Sequence, residues 1–321
     1  MKVCIFGAGA IGGYMGGRLA MAGFDVCLVA RGPHLEAMQQ NGLTIEDEEG
    51  RHNLKIHATD DPASLGEQDY VIVSVKAISL SGANIGPLLG PDTAVVTAMN
   101  GIPWWYYYGL PGVAPVQPLE CVDPGGEFWR RIGPERAIGA TIGYAAEVRE
   151  PGYVRCVGSK RFTIGEPTGE MSDRCLWLAE MLCQAGLDAR VSGTIRNDVW
   201  NKIWGNAVFN PLSALTRANM GTLANDPDMR RLATVMMREI CDVGTAVGGE
   251  FEGNIEARMD QAASHGAHRA SMLQDMEAGR PMELDAILGA ICEMGQRVDV
   301  RTPSLDMILS VLRLRARQDY R

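Results

Sequence analysis

The chain has 321 residues, with 39 acidic against 30 basic side chains and a formal net charge of −9. This length suggests two domains, and a hydrophobic fraction of 46% is enough for folded cores. The acidic balance argues against nucleic acid as a partner, because phosphate binding needs a basic surface. No uncharged apolar stretch reaches about 18 residues, so no membrane partner is expected either.

Cysteine and histidine usage limits the possible chemistry. The eight cysteines are scattered, and none forms a CxxC pair or a spacing typical of zinc sites. Scattered cysteines are usually reduced core residues, so we expect a cytoplasmic protein without a metal. Five histidines leave few candidates for histidine-based acid or base chemistry.

In chain order, the first half alternates strands with helices. A glycine-rich loop follows the first strand, and an acidic turn within residues 43–59 predicts a hairpin. Apolar runs at 70–76 and 94–100 are typical of parallel strands buried on both faces. Further strands are predicted at 2–6, 25–30, 138–148, 153–157, 162–165 and 188–192, helices at 33–41 and 172–185, and irregular chain at 101–135.

After residue 192 the pattern changes and predicts no strand. The spacing of Leu284, Ile287, Leu288 and Ile291 is helical. Helices are predicted near 195–215, 227–247, 252–265, 268–278, 281–297 and 303–317. The sequence therefore predicts an α/β Rossmann-type, dinucleotide-binding domain over residues 1–192 and an all-α domain over residues 193–321.

The first functional motif is the loop formed by Gly7, Ala8, Gly9, Ala10, Ile11 and Gly12. It matches GxGxxG directly after a strand and before a helix, which is the context that dinucleotide binding needs. The first glycine allows a tight turn, the second lets the backbone approach a pyrophosphate, and the third lets the helix pack on the strand. A glycine-rich turn without a ligand is the alternative interpretation.

The end of the second strand indicates which dinucleotide binds. An NAD site tends to carry an acidic side chain there, on the ribose 2′-hydroxyl. The nearest acid, Asp25, lies at the other end of the strand, and Arg31 occupies the expected place. Because a guanidinium pairs well with a phosphate, the sequence favours NADP(H) over NAD(H). A solvated surface arginine is the alternative.

The stretch 201-NKIWGNAVFNP-211 carries Lys202, Asn206 and Asn210 in one stripe, since residues four apart share a helical face. A solvated stripe and a polar network that fixes helix packing are the structural explanations. The functional interpretation is a cleft wall in which Lys202 protonates a ketone oxygen. Pro211 is expected to end or kink the helix, which would leave Asn210 near its C-terminal end.

A nicotinamide-dependent reductase needs a proton donor at the carbonyl, and that step contributes about 10²–10⁴-fold. Lys202 is the best candidate, provided that burial lowers its pKa toward neutrality. His268 is a distant second candidate, because the remaining histidines, other than His265, fall at the periphery of the cofactor domain.

These motifs together resemble the ketopantoate reductase (2-dehydropantoate 2-reductase) family over nearly the whole chain. The resemblance rests on GAGAIGG, SVKA, MNGI, NKIWGNAVFNPLSAL, SMLQDMEAGRPMELD and TPSLD. It implies an NADPH-dependent reduction of 2-dehydropantoate to (R)-pantoate, on the route to pantothenate. It also implies a Rossmann domain followed by an all-helical domain similar to that of 6-phosphogluconate dehydrogenase.

The resemblance further implies roles for single residues. Lys202 would be the catalytic lysine, and Glu283 the acid that orients it and the substrate hydroxyl. The residues implied for substrate are Asn206, Asn210 and Ser271, and those implied for the cofactor are the glycine loop, Arg31, Lys76 and Asn100. From the residues alone, Glu283 is also typical of a first helical turn after Pro281, and Ser271 of a helix N-cap.

Three departures from the family pattern are visible. His268 stands where the family can have asparagine, and the segment 103–112 (PWWYYYGLPG) is unusually aromatic. Asp299 replaces a glycine and is expected to tolerate a similar turn. The first two departures leave the identity of the 2-keto acid open, but not the type of reaction.

Three functions therefore stay open from the sequence. The first is the reduction of 2-dehydropantoate, the second is the reduction of another 2-keto acid by the same fold, and the third is an NADP(H)-binding sensor without turnover. A sensor has no need of the lysine, the two asparagines and the glutamate together. The expected partner is a small-molecule 2-keto acid, and both a monomer and a homodimer fit the sequence.

Overall fold

The computed structural model describes residues 1–76, 79, 82–110 and 117–319. In it the chain divides into two compact units. The first comprises Met1–Met99, Trp105–Pro118 and Gly126–Ile195, and the second comprises Asn100–Trp104, Leu119–Gly125 and Arg196–Arg321. Residues 1–192 and 193–321 stay our proposed domains. Asn100–Trp104 and Leu119–Gly125 also belong to the second unit. The sequence pattern does not distinguish these two segments from the residues around them.

The described strands of the first unit form an eight-stranded and a four-stranded sheet. They are β1 (Lys2–Phe6), β2 (Asp25–Val29), β3 (Leu43–Asp47), β4 (Gly50–Leu54), β5 (His57–Thr59), β6 (Gln68–Val73), β7 (Leu89–Thr97), β8 (Ala137–Ile142), β9 (Ala145–Glu150), β10 (Tyr153–Val157), β11 (Arg161–Gly165) and β12 (Asp188–Val191). The large sheet has the order β12-β11-β8-β7-β6-β1-β2-β5, and the small sheet the order β4-β3-β10-β9. The large sheet is parallel from β8 to β5, which confirms the predicted α/β class.

The winding direction of the large sheet changes between β1 and β6, which are parallel neighbours. From β1 the chain continues to β2 and β5 on one side, and from β6 to β7 and β8 on the other. In open α/β sheets, ligands bind outside the carboxyl ends of the strands at such a switch point. The glycine loop follows β1 and residues 74–76 follow β6, so the strand order puts both segments at this position.

Helix α1 (Ala10–Met21) packs closely against both sheets because glycines line two of its sides. A Cβ on Gly16 would lie 2.6 Å from Leu28 Cδ2 in the large sheet, and one on Gly17 would lie 2.7 Å from Ile45 Cγ2 in the small sheet. Carbon atoms do not pack at such distances, so only glycine permits this approach. The run AIGGYMGGRLAM therefore serves packing as well as the phosphate loop.

A buried group of charges ties α1 to the hairpin formed by β3 and β4. Arg18 donates to Asp47 at 3.2 Å and to the Ala185 carbonyl at 2.8 Å. Tyr14 donates to the same carboxylate at 2.5 Å, and Lys160 lies 3.1 Å from it. Burial raises the pKa of Asp47, but its hydrogen bonds and the nearby cations outweigh this effect and hold the pKa below its usual value.

Helices complete both units. The α-helices whose bounds the structure describes in the first unit are α1, α2 (Gly32–Asn41), α3 (Glu127–Arg131) and α4 (Asp173–Gln184). Those that follow are α5 (Ile195–Thr216), α6 (Met220–Asn225), α7 (Pro227–Ala246), α8 (Ile255–Ser264), α9 (Ser271–Glu277), a π-turn at Asp285–Gly289, α10 (Ala290–Arg297) and α11 (Pro303–Asp319). No strand lies among the described residues after Val191, which confirms the predicted all-α half.

The single strand predicted at 138–148 is wrong, because the run forms two strands in different sheets. Gly143 and Tyr144 separate β8 from β9, and the Gly143 amide donates to the Arg161 carbonyl at 2.9 Å. An apolar run does not reveal such a change of sheet. In addition, α3 lies within a stretch predicted as irregular, and the sequence pattern does not predict α6.

Pro211 does not end its helix, so the prediction that Asn210 lies near the C-terminal end is wrong. Helix α5 continues to Thr216, which leaves Asn210 about one and a half turns inside it. Leu212 and Ala214, just after the proline, are almost fully buried. Tertiary packing of this kind supplies most of the stability of helices in proteins and carries α5 past the missing N–H.

The aromatic segment belongs to the core where the structure describes it. Trp105, Tyr106 and Tyr107 are buried. The indole Nε1 of Trp105 donates to Thr97 Oγ1 at 2.7 Å, and its ring lies 2.5 Å from where a Cβ on Gly139 would be. The segment therefore packs on β7 and β8. Residues 111 and 112, at the end of the stretch singled out in the sequence, lie outside the described residues.

Candidate active site

The glycine loop after β1 packs closely against residues 74 and 75, which follow β6. Gly7 has a φ of 106°, which side chains rarely adopt. A Cβ on it would lie 2.4 Å from Val75 Cγ1, and a Cβ on Gly12 would lie 2.2 Å from Ser74 Oγ. Both positions therefore require glycine, for the turn and for the contact with the segment after β6.

Gly9 differs from Gly7 and Gly12, because a side chain at this position would point into open space. No atom lies within 4 Å of the place where its Cβ would be, and the residue is exposed. Gly9 is also the N-cap of α1, and no side chain caps this helix end. An uncapped helix N-terminus with open space above it fits an anionic phosphate group, so the loop fits a dinucleotide.

Ser74 is a residue that the sequence reasoning missed. Its hydroxyl donates to the Gly7 carbonyl at 2.9 Å, and its amide donates to the Phe6 carbonyl at 3.0 Å. The SVKA motif drew attention to Lys76, which lies two residues further on and is partly buried. The available signal was a hydroxyl directly after a buried strand, at the edge where the glycine loop lies.

Arg31 lies at the same edge of the large sheet. It is the N-cap of α2, it is exposed, and it follows the end of β2 by two residues. β2 is the parallel neighbour of β1, so the sheet brings Arg31 and the glycine loop to neighbouring strand ends. Its guanidinium is available to a phosphate group at this edge.

Helix α5 carries the lysine and asparagine stripe of the second unit. Trp200 and Trp204 on its other faces are buried and pack on the ring of Phe251, with centroids 5.8 and 5.1 Å away. Lys202 is partly buried. Asn206 is also partly buried and Asn210 is almost fully buried, at 7% exposure. A solvated stripe is therefore excluded as the explanation of this pattern.

A second asparagine pair on α5 has a structural role that the sequence reasoning did not separate from the first. Asn197 Oδ1 accepts from the Glu250 amide at 3.1 Å, and Asn201 Oδ1 accepts from the Glu252 amide at 2.8 Å. The two carboxamides thus hold the loop that carries Phe251. Residue type and helical spacing alone do not distinguish this pair from Asn206 and Asn210.

The electrostatic environment of Lys202 suits a proton donor near neutral pH. Burial lowers the pKa of Lys202 to about 8, and the charge of Glu283 acts in the opposite direction. A catalytic acid works best when its pKa lies near the operating pH. The lysine therefore meets the condition that the sequence reasoning set for it.

Glu283 and Asn100 meet although they are 183 residues apart in the chain. The Asn100 carboxamide Nδ2 donates to Glu283 Oε2 at 3.3 Å. Glu283 precedes the first helical residue, Leu284, so it does not lie in a first helical turn and the predicted helix start at 281 is too early. Within the second unit, Glu283 therefore interacts with the charge of Lys202 and accepts a hydrogen bond from the Asn100 carboxamide.

Ser271 and His268 lie near the start of α9. Ser271 is the first helical residue and is exposed, while Ala270 holds the cap position, so the N-cap interpretation of Ser271 is wrong. His268 is exposed, and its backbone carbonyl accepts from the Met220 amide at 2.9 Å. Asp299 has a φ of 57°, which confirms that it adopts the turn expected of a glycine replacement.

Two kinds of feature are absent from the described residues. No group of three His, Cys, Asp or Glu side chains there is placed to hold a metal ion. Nor does any helix among them have the length and apolarity to span a membrane.

Comparisons with known proteins agree on one family. The family model described as ketopantoate reductase PanE/ApbA matches residues 3–169. Its companion, ketopantoate reductase PanE/ApbA C terminal, matches residues 194–316. Together the two models cover well over half of the chain.

Similar proteins extend over the full length. The 2-dehydropantoate 2-reductase of Mesorhizobium japonicum is 47% identical over 316 residues, which are 98% of this chain and 97% of that protein. A crystal structure from Ralstonia solanacearum, provisionally assigned as a ketopantoate reductase, is 40% identical with a TM-score of 0.94, covering 99% of this chain and 98% of that one. D-Mandelate dehydrogenase, solved with NADH and anilino(oxo)acetate, is 22% identical with a TM-score of 0.84 over 99% of each chain, and it shares the fold.

Proposed function

The chain belongs to the ketopantoate reductase family, and from this premise we propose that it reduces 2-dehydropantoate to (R)-pantoate with NADPH. The observation that carries the proposal is the position of Lys202, partly buried on α5 and within reach of the charge of Glu283. The Lys202 pKa of about 8 leaves the amine mostly protonated at neutral pH. The same pKa makes the ammonium group a stronger acid than an ordinary lysine, so it transfers a proton more readily. A lysine in this state, beside a carboxylate and in a nicotinamide-dependent fold, is suited to carbonyl reduction.

We assign cofactor binding to the glycine loop and to three polar residues. Gly7, Ala8, Gly9, Ala10, Ile11 and Gly12 would hold the pyrophosphate at the N-terminus of α1. Arg31 would pair with the 2′-phosphate of the adenosine ribose, and Lys76 and Asn100 would contact the rest of the dinucleotide. Support comes from the open space over Gly9 and from the exposure of Arg31 at the neighbouring strand end. When bound, NADPH supplies the hydride for the ketone carbon.

We assign the proton transfer to Lys202. Its ammonium group donates a hydrogen bond to the ketone oxygen and gives up a proton as the oxygen becomes negative, which leaves a neutral amine that water reprotonates. Glu283 orients the amine and the substrate hydroxyl. Asn206, Asn210 and Ser271 hold the substrate, with Ser271 near its carboxylate. Burial supports this assignment, because charge interactions are stronger where water is excluded.

We also propose that the enzyme works in the cytoplasm. All eight cysteines are free thiols, which suits the reducing conditions of the cytoplasm. The partner is a small-molecule 2-keto acid, and we retain both a monomer and a homodimer as assembly states.

The decisive assay follows NADPH oxidation with 2-dehydropantoate beside pyruvate, 2-ketoisovalerate and oxaloacetate. We expect kcat/KM to be highest for 2-dehydropantoate. A higher value for another acid would assign the enzyme to that substrate, as an alternative reductase of the same fold. Binding of NADPH without consumption by any acid would indicate a sensor instead.

Arg31→Ala tests the cofactor assignment. Loss of a hydrogen bond to a charged phosphate costs about 1.5–3 kcal/mol, so the variant should lose about 10–100-fold of its kcat/KM preference for NADPH over NADH. Steady-state kinetics with both cofactors measure this ratio. The control is Arg149→Ala, an exposed arginine on β9, which should leave the ratio unchanged. An unchanged ratio in Arg31→Ala would contradict the role of the guanidinium.

A further inference from the structure

The π-turn after Glu283 changes which backbone groups face the 100–104 segment. At its end the Ala290 amide donates to the Asp285 carbonyl, five residues earlier, instead of to Ala286. The Ala286 carbonyl accepts from the Ile102 amide at 2.8 Å. A backbone hydrogen bond therefore joins the turn that follows Glu283 to the segment that begins with Asn100.

Gly101 makes this contact possible. Its φ is 93°, in the region that favours glycine. A Cβ on Gly101 would lie 2.3 Å from the Ala286 oxygen and 2.8 Å from the Ala286 Cβ. Because these are backbone and β-carbon atoms of a buried residue, they have little freedom to yield.

Two bonds thus flank one glycine. On one side the Asn100 carboxamide donates to Glu283, and on the other the Ile102 amide donates to Ala286, which lies in the π-turn three residues after Glu283. The Ile102 side chain is 1% exposed, so packing fixes that side of the segment. The segment is therefore anchored two residues after Asn100, by the Ile102 amide and by the packing of the Ile102 side chain.

We propose that Gly101 and the π-turn form a positioning device, in which the close backbone contact at Ala286 holds the Asn100 carboxamide on Glu283. Gly101 is thereby a positioning residue that acts through Asn100, on the carboxylate whose charge reaches Lys202. The inference rests on the proposed function, because it deepens the account of the same site.

We expect Gly101→Ala to lower kcat and to shift the pH–rate profile. The added methyl group moves the segment away from the π-turn, and the Asn100 amide leaves Glu283. The loss of a hydrogen bond to a charged group corresponds to about a 10–100-fold decrease in kcat. Without the amide dipole, the carboxylate acts more strongly on Lys202, so the alkaline limb of the pH–rate profile moves to higher pH.

The experiment is a double-mutant cycle of Asn100→Ala and Gly101→Ala with 2-dehydropantoate and NADPH. If Gly101 acts through Asn100, the double variant is no slower than Asn100→Ala, and both single variants move the alkaline limb upward. The matched control is Gly253→Ala, since Gly253 has a φ of 81° but no atom within 4 Å of its missing Cβ. Gly253→Ala therefore introduces the same kind of backbone strain as Gly101→Ala but no steric clash with another residue.

Two kinetic outcomes would overturn the proposal: losses that multiply in the double variant, or a Gly101→Ala enzyme with the kcat of the Gly253→Ala control. If Gly101→Ala does not fold, hydrogen exchange of the Ile102 amide in the wild type decides. Protection similar to that of the helices of the second unit is expected, and exchange at the rate of an open loop would also overturn it. This measurement needs no substrate, so a failure to turn over 2-dehydropantoate would defeat the proposed function alone.

Discussion

Replacing Lys202 with methionine should lower kcat by about 10²–10⁴-fold, which is the usual contribution of a general acid. Methionine keeps an unbranched stem of similar length but has no proton to give. NADPH binding should be retained, because the glycine loop and Arg31 are untouched. Stopped-flow or steady-state oxidation of NADPH measures the first effect, and fluorescence titration the second.

The same variant should be more stable than the wild type. Burial lowers the Lys202 pKa from 10.5 to about 8, which corresponds to at most about 3 kcal/mol of cost for holding the charge. Since the folded pKa lies below the unfolded one, wild-type stability rises with pH between about 8 and 10.5, and the variant lacks this rise. Thermal unfolding across this pH window measures both effects.

The control for this experiment is Lys55→Met, at an exposed lysine. It should alter neither kcat nor the pH dependence of unfolding. A Lys202→Met enzyme that turns over at nearly the wild-type rate would remove Lys202 from the mechanism.

Glu283→Gln should shift the pH dependence of the reaction. The charge of Glu283 raises the pKa of Lys202, so its removal should drop that pKa below about 8. The alkaline limb of kcat/KM for ketone reduction would then move to lower pH, because the lysine must be protonated to act. We also expect a 10–100-fold decrease in kcat, since glutamine cannot accept from the ammonium as an anion does.

Glu239, a buried glutamate of the second unit, offers a control. Glu239 accepts from the backbone amides of Ser304 and Leu305 at the start of α11. Glu239→Gln should lower the melting temperature and leave the alkaline limb at its wild-type pH. If Glu283→Gln and Glu239→Gln have the same pH–rate profile, the assigned coupling between Glu283 and Lys202 is incorrect.

The elements that the sequence predicted well are those with a local cause. The glycine loop, the strands around it and the helical second half follow from spacing and from turn residues, which act over a few positions. The stripe on α5 follows from helical geometry alone, and Lys202 is singled out because it is the one cation in it.

What the sequence did not predict depends on contacts distant in the chain. The change of sheet at Gly143 depends on where Arg161 returns, and the role of Gly101 depends on Ala286. The carboxamides of Asn201 and Asn206 look alike in the sequence, yet the first holds a loop through the Glu252 amide, whereas the second belongs to the stripe that carries Lys202. Only the partner distinguishes them, and the partner is set by the fold.

The glycines of α1 set a limit on protein engineering. Replacing a helical glycine with alanine is a standard route to greater heat resistance, with a gain of about 1 kcal/mol per site. At Gly16 and Gly17 the new methyl group would meet Leu28 or Ile45, so the gain would turn into a loss of tight packing. Thermostable derivatives of this enzyme must therefore be sought away from Gly16 and Gly17, and the helix that follows the glycine loop will keep its low helical propensity.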